Sequence, residues 1–177
     1  MQRWRVPLGF MCGALFFLLA HPRARTLAFG GVIALVGLLL RAWAAGHIRK
    51  NSALAMSGPY AYTRNPLYLG SFLLGLGFTV AAGQWILAVA FATLFASIYV
   101  PVMRVEAKTL AALFGEEYER YARAVPLFVP HPFPYRDERT RDLKFDASLY
   151  VRYREYRAAI GLLLAWSVLA LKAFLLN

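Results

Sequence analysis

The sequence predicts an all-α integral membrane protein with about five transmembrane helices and a helical segment at the cytoplasmic membrane surface. Hydrophobic residues make up 60% of the chain and charged residues only 16%, whereas a soluble domain has about 45–50% and about 25%. The apolar residues are concentrated in runs of helical length, and most cations lie between those runs on one predicted side. The surplus of apolar side chains therefore indicates a lipid environment.

The predicted spans follow from the length of each apolar run. A helix needs about 20 apolar residues to cross a hydrocarbon core of about 30 Å, and residues 26–45 match this length. Only Gly83-Gln84 separates two of the other runs, which predicts a tight antiparallel hairpin. Arg41 lies near a span end, where its long side chain can reach the membrane surface. The predicted spans are residues 6–20, which is short, 26–45, 67–82, 85–103 and 158–176.

The distribution of cations predicts how the chain is oriented in the membrane. If five spans alternate, residues 46–66 and 104–157 share one side with the N-terminus, and this side holds all nine acidic residues and most basic ones. The basic residues in the loops of the other side are only Arg23 and Arg25. Cytoplasmic loops are enriched in Lys and Arg, so the N-terminus is predicted to be cytoplasmic. An anionic membrane surface then explains the net charge of +11 without a nucleic-acid partner.

Length and composition predict one membrane domain over residues 1–177. Residues 1–45 would form the N-terminal spans, 46–130 a core, and 131–177 an interfacial helix with an extra C-terminal span. The N-terminal run is interpreted as a retained helix, because no small-residue cleavage site follows it. The single cysteine, Cys12, and three scattered histidines predict neither a disulfide nor a metal site.

Two polar segments are predicted to lie at the membrane surface. Apolar and aromatic residues recur at intervals of three and four over residues 105–124, which is typical of an amphipathic helix, and Gly115 would interrupt or cap it. The proline-rich residues 125–134 predict an extended connector. Residues 137–157 alternate charged and aromatic side chains, which suits a second interfacial helix that leads into the last span.

Two polar clusters, at residues 57–70 and 104–110, are not explained by membrane insertion alone. A hairpin of two spans returns the chain to the side it left, so these clusters can meet at the cytoplasmic end of the bundle. Such places between helices are frequent ligand sites. Taken singly, each residue has a structural explanation: Arg64 as a membrane anchor, the tyrosines as interfacial residues, and Asn65-Pro66 as a helix start. Together they predict a polar pocket.

Four motifs occur in order in this region. Residues 58–70 read GPYAYTRNPLYLG, 106–110 read EAKTL, 114–121 read FGEEYERY and 126–130 read PLFVP. This ordered set closely resembles the isoprenylcysteine carboxyl methyltransferase and phospholipid methyltransferase superfamily over residues 41–130. The resemblance implies a bundle of membrane helices that binds S-adenosylmethionine at its cytoplasmic face, within the 46–130 core. The methyl acceptor would be a lipid or prenylated small molecule that enters from the bilayer.

The resemblance also implies roles for individual residues. The backbone before Gly58 would line the cofactor, residues 60 and 65–68 would form its wall, and Glu106 would meet its charged end. Our own hypothesis adds that Arg64 and Arg104 lie near the acceptor head group. The candidate catalytic residues are therefore Arg64, Arg104 and Glu106. The candidate cofactor-binding residues are Ser52, Ala53, Leu54, Ala55, Tyr60, Asn65, Pro66, Leu67, Tyr68 and Glu106.

Three positions depart from the superfamily pattern. Asn65 replaces the usual histidine, which removes a titratable group, and Ala107 replaces the second of two glutamates. Val102 stands where the prenylcysteine enzymes have an arginine, and Arg104 is a nearby candidate. Two other functions stay open: a membrane NADPH-dependent reductase of the sterol type, and a non-catalytic membrane scaffold of the same fold. The acceptor, any general base and the oligomeric state are also open.

Overall fold

A computed structural model describes residues 13, 16–48, 53–137 and 144–176. Within this part of the chain, residues 16–19 are helical, six further α-helices follow, and there is no β-strand. The predicted all-α class is therefore confirmed. The elements are α1 (Ala24–Ala45), a 3-10 helix (Gly58–Ala61), α2 (Pro66–Ala82), α3 (Trp85–Phe114), α4 (Glu116–Ala124), α5 (Ala147–Arg152) and α6 (Tyr156–Leu176).

Three of these helices, α1, α3 and α6, are long and apolar enough to cross a membrane. The helix α2 is equally apolar but has only 17 residues. Most of the first predicted span, residues 6–20, lies outside the described residues. The protein is thus a membrane protein with at least three candidate spans among the described residues, and the count of about five stays a prediction.

The helices α1 and α2 pack against each other more extensively than any other pair. Glycines make this approach possible, because a Cβ built on Gly77 would lie 2.6 Å from the Gly30 carbonyl oxygen, and one built on Gly37 would lie 2.7 Å from the Gly70 carbonyl oxygen. Small residues of this kind let helix backbones come close inside a membrane. The result is a rigid pair of helices on which the polar end of the bundle is built.

The predicted hairpin between α2 and α3 is present. Gly83 adopts the left-handed conformation at φ 68°, which glycine reaches without a steric penalty. The backbone N–H of His21 donates to the Ala82 carbonyl oxygen at 2.8 Å, and Thr26 Oγ1 donates to the Ala81 carbonyl oxygen at 3.1 Å. The loop before α1 and the hairpin turn therefore lie at one end of the bundle, as alternating spans require.

The third helix, α3, is longer than the sequence predicted. A separate amphipathic helix starting at residue 105 was wrong, because α3 continues unbroken from Trp85 to Phe114 with Pro101 inside it. The residues after 103 favour helix, and no helix breaker occurs before Gly115. The predicted interruption at Gly115 is confirmed: its φ of 53° and ψ of −130° end α3 and start α4.

The C-terminal region also differs from its prediction. The single interfacial helix over residues 137–157 was wrong, because the described part contains only the short helix α5 and then a turn at residues 153–155. Arg154 has φ 57° in this turn, so the chain changes direction there. The following helix α6 begins at Tyr156, two residues before the predicted start of the last span.

Candidate active site

A cavity of about 530 Å³ lies at the polar end of the bundle, between α1, α2, α3, α4 and the segment before the 3-10 helix. The predicted fold-back brings residues from both polar clusters to its wall. Predicted site residues that line this cavity are Ala53, Leu54, Ala55, Tyr60, Arg64, Asn65, Pro66, Leu67, Tyr68 and Glu106. Ser52 lies outside the described residues.

A hydrogen bond joins the two arms of the hairpin at the cavity. The Tyr68 hydroxyl on α2 donates to Glu106 Oε1 on α3 at 2.7 Å. The Tyr68 ring also contacts the Tyr99 ring, with centroids 5.2 Å apart, and Tyr99 stacks on Phe95 at 4.4 Å. A hydrogen bond to a carboxylate is stronger than one between neutral groups. The Tyr68 hydroxyl therefore holds the Glu106 carboxylate at the exposed rim of the cavity.

The connector after α4 is hydrogen-bonded to the start of α2. Asn65 Nδ2 donates to the Leu127 carbonyl oxygen at 2.9 Å, and Thr63 Oγ1 donates to the Phe128 carbonyl oxygen at 2.9 Å. The Phe128 ring packs between Phe72 of α2 and Phe95 of α3, at centroid distances of 5.9 and 5.8 Å. Asn65 thus holds the PLFVP segment against the start of α2, a role that its amide fills without a titratable group.

Two tyrosines of α4 are hydrogen-bonded to the segment of residues 60–64, which contributes to the cavity wall. The Tyr121 hydroxyl donates to the Tyr60 carbonyl oxygen at 2.7 Å. Arg64 Nη1 donates to the Tyr118 hydroxyl at 2.9 Å, and the guanidinium lies 5.8 Å from the Tyr118 ring centroid. The sharp turn at Gly115 directs both tyrosines inward, and they are buried to 4% and 2% exposure.

Several buried polar atoms at this end have no hydrogen-bond partner among the described residues. They are Ser57 Oγ, the Tyr60 hydroxyl and Arg64 Nε. Buried polar groups are nearly always paired, so unpaired groups at a cavity wall are suited to a ligand. Burial, and then the charges of Glu106 and Glu155, raise the pKa of Tyr60 well above its usual value. The phenol is therefore a neutral donor at physiological pH.

The Arg41 side chain was predicted to extend to the membrane surface, but it lies inside the bundle. It lines the cavity and forms an ion pair with Glu155, with Nη2 2.7 Å from Oε2. It also donates to Ser71 Oγ on α2. A carboxylate supplied by the turn before α6 thus holds the arginine inside the bundle.

Arg104 is not brought to the cavity. It is exposed, and it is absent from the cavity wall. Tyr99, Glu106, Leu110 and Leu113 lie on the cavity side of α3, whereas Arg104 is two residues from Glu106 and so about 200° around the helix. Of the two predicted arginines, only Arg64 faces the site.

Sequence reasoning missed several lining residues, among them Arg41, Tyr99, Tyr118 and Tyr121. Tyr99 precedes Glu106 by seven residues, which is two helical turns, so continuing α3 through residue 104 would have placed it on the same face. Both α4 tyrosines stand in the quoted FGEEYERY motif, to which no role was given. Arg41 carried a weaker signal, a cation within an apolar run.

The sequence pattern of the phospholipid methyltransferase family matches residues 26–117, about half of the chain. The chain belongs to the phospholipid methyltransferase family. The matched region includes nearly all of α1, the helices α2 and α3, and the beginning of α4. It contains Tyr60, Tyr68 and Glu106, so the cavity of this family member lies largely inside the matched region.

Curated relatives of this methyltransferase-family chain match parts of it. The cobalt-zinc-cadmium resistance protein of Cupriavidus metallidurans is 37% identical over 147 residues, 77% of this chain and 66% of that protein. The protein-S-isoprenylcysteine O-methyltransferase of Schizosaccharomyces pombe is 31% identical over 81 residues, 46% and 34% of the two chains. The methanethiol S-methyltransferase of Crocosphaera subtropica is 35% identical over 71 residues, 40% and 27%.

The chain thus spans less than two thirds of the length of these relatives. No solved structure matches the sequence.

Proposed function

We propose that this protein transfers a methyl group from S-adenosylmethionine to a lipophilic acceptor at the cytoplasmic membrane surface. The observation that carries the proposal is one cavity lined by Tyr68 and Glu106, from two arms of the hairpin, and by Tyr60, whose hydroxyl has no partner among the described residues. Family membership supports the same reaction class.

The residues at the cavity fit the chemistry of the cofactor. S-adenosylmethionine carries an ammonium and a sulfonium, a carboxylate and an adenine. The volume of about 530 Å³ lies within the usual range for small-molecule sites, about 300–1,000 Å³. Glu106 offers a carboxylate to a cationic group, and the Tyr60 hydroxyl, which has no partner among the described residues, offers a donor to an anionic one. Leu110, Leu113 and Phe114 add an apolar surface for the adenine.

The cofactor supplies an already activated methyl group on its sulfonium. The protein then has to align donor and acceptor in a site that excludes water. Glu106, held by Tyr68, would bind a cationic group of the cofactor, and Tyr60 would donate a hydrogen bond as a neutral phenol. Since Arg64 lines the cavity and Arg104 does not, we assign the acceptor head group to Arg64 alone.

A lipophilic acceptor is supported by the surroundings of the cavity. The helix α3 forms one cavity wall and leaves large apolar side chains exposed along its length, among them Val89, Leu94, Ile98 and Val102. Such a surface is suited to lipid tails. The names of two relatives specify an isoprenylcysteine and methanethiol as acceptors, so acceptors differ among relatives and the chemical class has to be measured.

A methylation assay tests this proposal. Purified protein in lipid nanodiscs is incubated with a membrane lipid extract and S-adenosylmethionine labelled in its methyl group, and products are resolved by mass. We expect a labelled lipophilic product that is absent with the Glu106→Gln variant. A parallel incubation with NADPH tests for a reductase. Oxidation of NADPH without methyl transfer would overturn the proposal, and so would the absence of both reactions and of cofactor binding.

A further inference from the structure

The ion pair between Arg41 and Glu155 connects the cavity wall to the C-terminal region. The two residues are 114 positions apart, and their side chains are only 22% and 12% exposed. Arg41 lines the cavity, whereas Glu155 is not among the residues of the cavity wall. Residue 155 also lies outside residues 26–117, which match the family. The region after the matched segment therefore contributes a charge next to the proposed cofactor site.

Every nitrogen of the Arg41 guanidinium is engaged by the chain. Nε donates to Glu155 Oε2 at 3.0 Å, and Nη2 donates to Oε1 at 2.9 Å and Oε2 at 2.7 Å. Nη1 donates to Ser71 Oγ at 2.5 Å and to the Leu67 carbonyl oxygen at 3.5 Å. A guanidinium has three nitrogens that donate, and each of the three has an acceptor supplied by the chain. Arg41 thus lines the cavity with its charge paired.

The segment that contains Glu155 is hydrogen-bonded to the rest of the protein before and after this residue. The Asp146 backbone N–H donates to the Gly46 carbonyl oxygen at 2.9 Å. At the other end of α6, Lys172 Nζ donates to the carbonyl oxygens of Phe17 and Leu18. Arg154 holds a left-handed conformation, which is costly for a residue with a side chain. The turn is thus held in a strained shape that brings Glu155 to Arg41.

We propose that Glu155 is a positioning residue that balances the charge of the cavity for a cationic cofactor. Among the residues that the structure describes, those with a charge in the cavity wall are Arg41, Arg64 and Glu106. Two cations and one carboxylate leave a net charge of +1, and Glu155 brings it to zero. Without Glu155 the unpaired Arg41 would repel a sulfonium or ammonium group, because the charge of a half-buried group is weakly screened. This inference rests on the proposed use of S-adenosylmethionine.

The ratio of two binding constants tests the inference. S-adenosylmethionine carries one positive charge more than S-adenosylhomocysteine and is otherwise almost the same size. In the Glu155→Gln variant we expect the affinity for S-adenosylmethionine to fall about tenfold and the affinity for S-adenosylhomocysteine to fall much less. A role confined to shape would weaken both alike, so an unchanged ratio of the two affinities would overturn the inference.

Two further variants allow the inference to be tested even if the Glu155→Gln variant does not fold. Arg41→Gln should shift the ratio in the opposite direction, in favour of S-adenosylmethionine, and it serves if Glu155→Gln does not fold. The Arg41→Gln, Glu155→Gln double variant keeps the cavity net charge of the wild type, so its ratio should return to the wild-type value. A double variant that keeps the ratio of Glu155→Gln would contradict the charge balance.

Glu119→Gln, at an exposed position outside the cavity, is the matched control and should leave the ratio unchanged. The wild-type protein separates this inference from the proposed function. If it binds S-adenosylmethionine while all variants share its ratio, the inference alone fails. If it binds neither ligand, the proposed function fails first.

Discussion

The tyrosine hydroxyls at the cavity fall into two groups. The Tyr121 hydroxyl is bonded to the Tyr60 carbonyl oxygen, and the Tyr68 hydroxyl is bonded to Glu106. The Tyr60 hydroxyl is buried and has no partner in the part of the chain that the structure describes. A bonded hydroxyl contributes to the stability of the protein, whereas an unpaired buried one costs free energy until a ligand accepts from it. The same change from Tyr to Phe should therefore have opposite effects at these positions.

Tyr60→Phe is predicted to leave the melting temperature equal to or above that of the wild type, because it removes an unpaired buried group. It should weaken S-adenosylmethionine binding about tenfold, since the ligand loses a donor. Tyr121→Phe should lower the free energy of unfolding by about 1–3 kcal/mol, because it leaves the Tyr60 carbonyl oxygen without its donor. Thermal melts in detergent and calorimetric titrations measure both effects. A destabilised Tyr60→Phe variant with wild-type affinity would contradict the assignment.

The charge of Glu106 is predicted to matter more than the bond that holds it. Glu106→Gln removes the carboxylate and should weaken cofactor binding by a factor on the order of 100, whereas Tyr68→Phe keeps the charge and should cost about tenfold. Both effects are read from the dissociation constant. Glu119→Gln is the control, because it removes an exposed carboxylate of α4 outside the cavity. Equal affinities for Glu106→Gln and Glu119→Gln would exclude Glu106 from the site.

Among the elements, the contact between α1 and α2 is the one that positions the cavity. A Cβ at Gly77 would lie 2.6 Å from the Ala34 nitrogen and from the Gly30 carbonyl oxygen, whereas a Cβ at Gly161 in α6 meets nothing within 4 Å. Gly77→Ala should therefore destabilise the protein by about 1–3 kcal/mol through overpacking. Gly161→Ala is the matched control and should keep or raise the melting temperature. Equal melting temperatures for the two variants would contradict this packing.

The elements also show what the sequence could predict. The hairpin and the meeting of residues 57–70 with 104–110 follow from span lengths and from Gly83-Gln84, which are local features. The unbroken course of α3 was missed because the charges after residue 103 were interpreted as the end of a helix, although charged residues such as Arg104 and Glu106 extend a helix well. The helix propensity of a residue is independent of its polarity. Here polarity suggested that α3 ends near residue 103, whereas helix propensity favours its continuation toward Gly115.

The pair of Arg41 and Glu155 could not be predicted from the sequence. Its partners are 114 residues apart, and their meeting depends on how α5 and α6 dock on α1. No local pattern encodes that docking. A cation at the end of an apolar run is expected to extend its side chain to the membrane surface. Only the three-dimensional arrangement shows that Arg41 faces a cavity instead.

At the scale of the whole molecule, the cavity end is predicted to face the cytoplasm. A cysteine-free background, Cys12→Ala, allows single cysteines to be placed at Arg25 and at Arg120, both of which are exposed. Arg25 lies at the hairpin end of the bundle and Arg120 in α4 at the cavity end. In intact cells an impermeant maleimide should label Arg25→Cys, and it should label Arg120→Cys only after permeabilisation, as the distribution of cations requires. The reverse pattern would place the cavity outside.

The central prediction also concerns the whole molecule: the polar end of this bundle is a binding site for S-adenosylmethionine. A calorimetric titration of the purified wild-type protein with S-adenosylmethionine, and separately with NADPH, tests it most directly. We predict saturable binding of S-adenosylmethionine with one site per chain and no binding of NADPH. Binding of NADPH alone, or a flat titration with both ligands in a protein that melts cooperatively, would contradict the account.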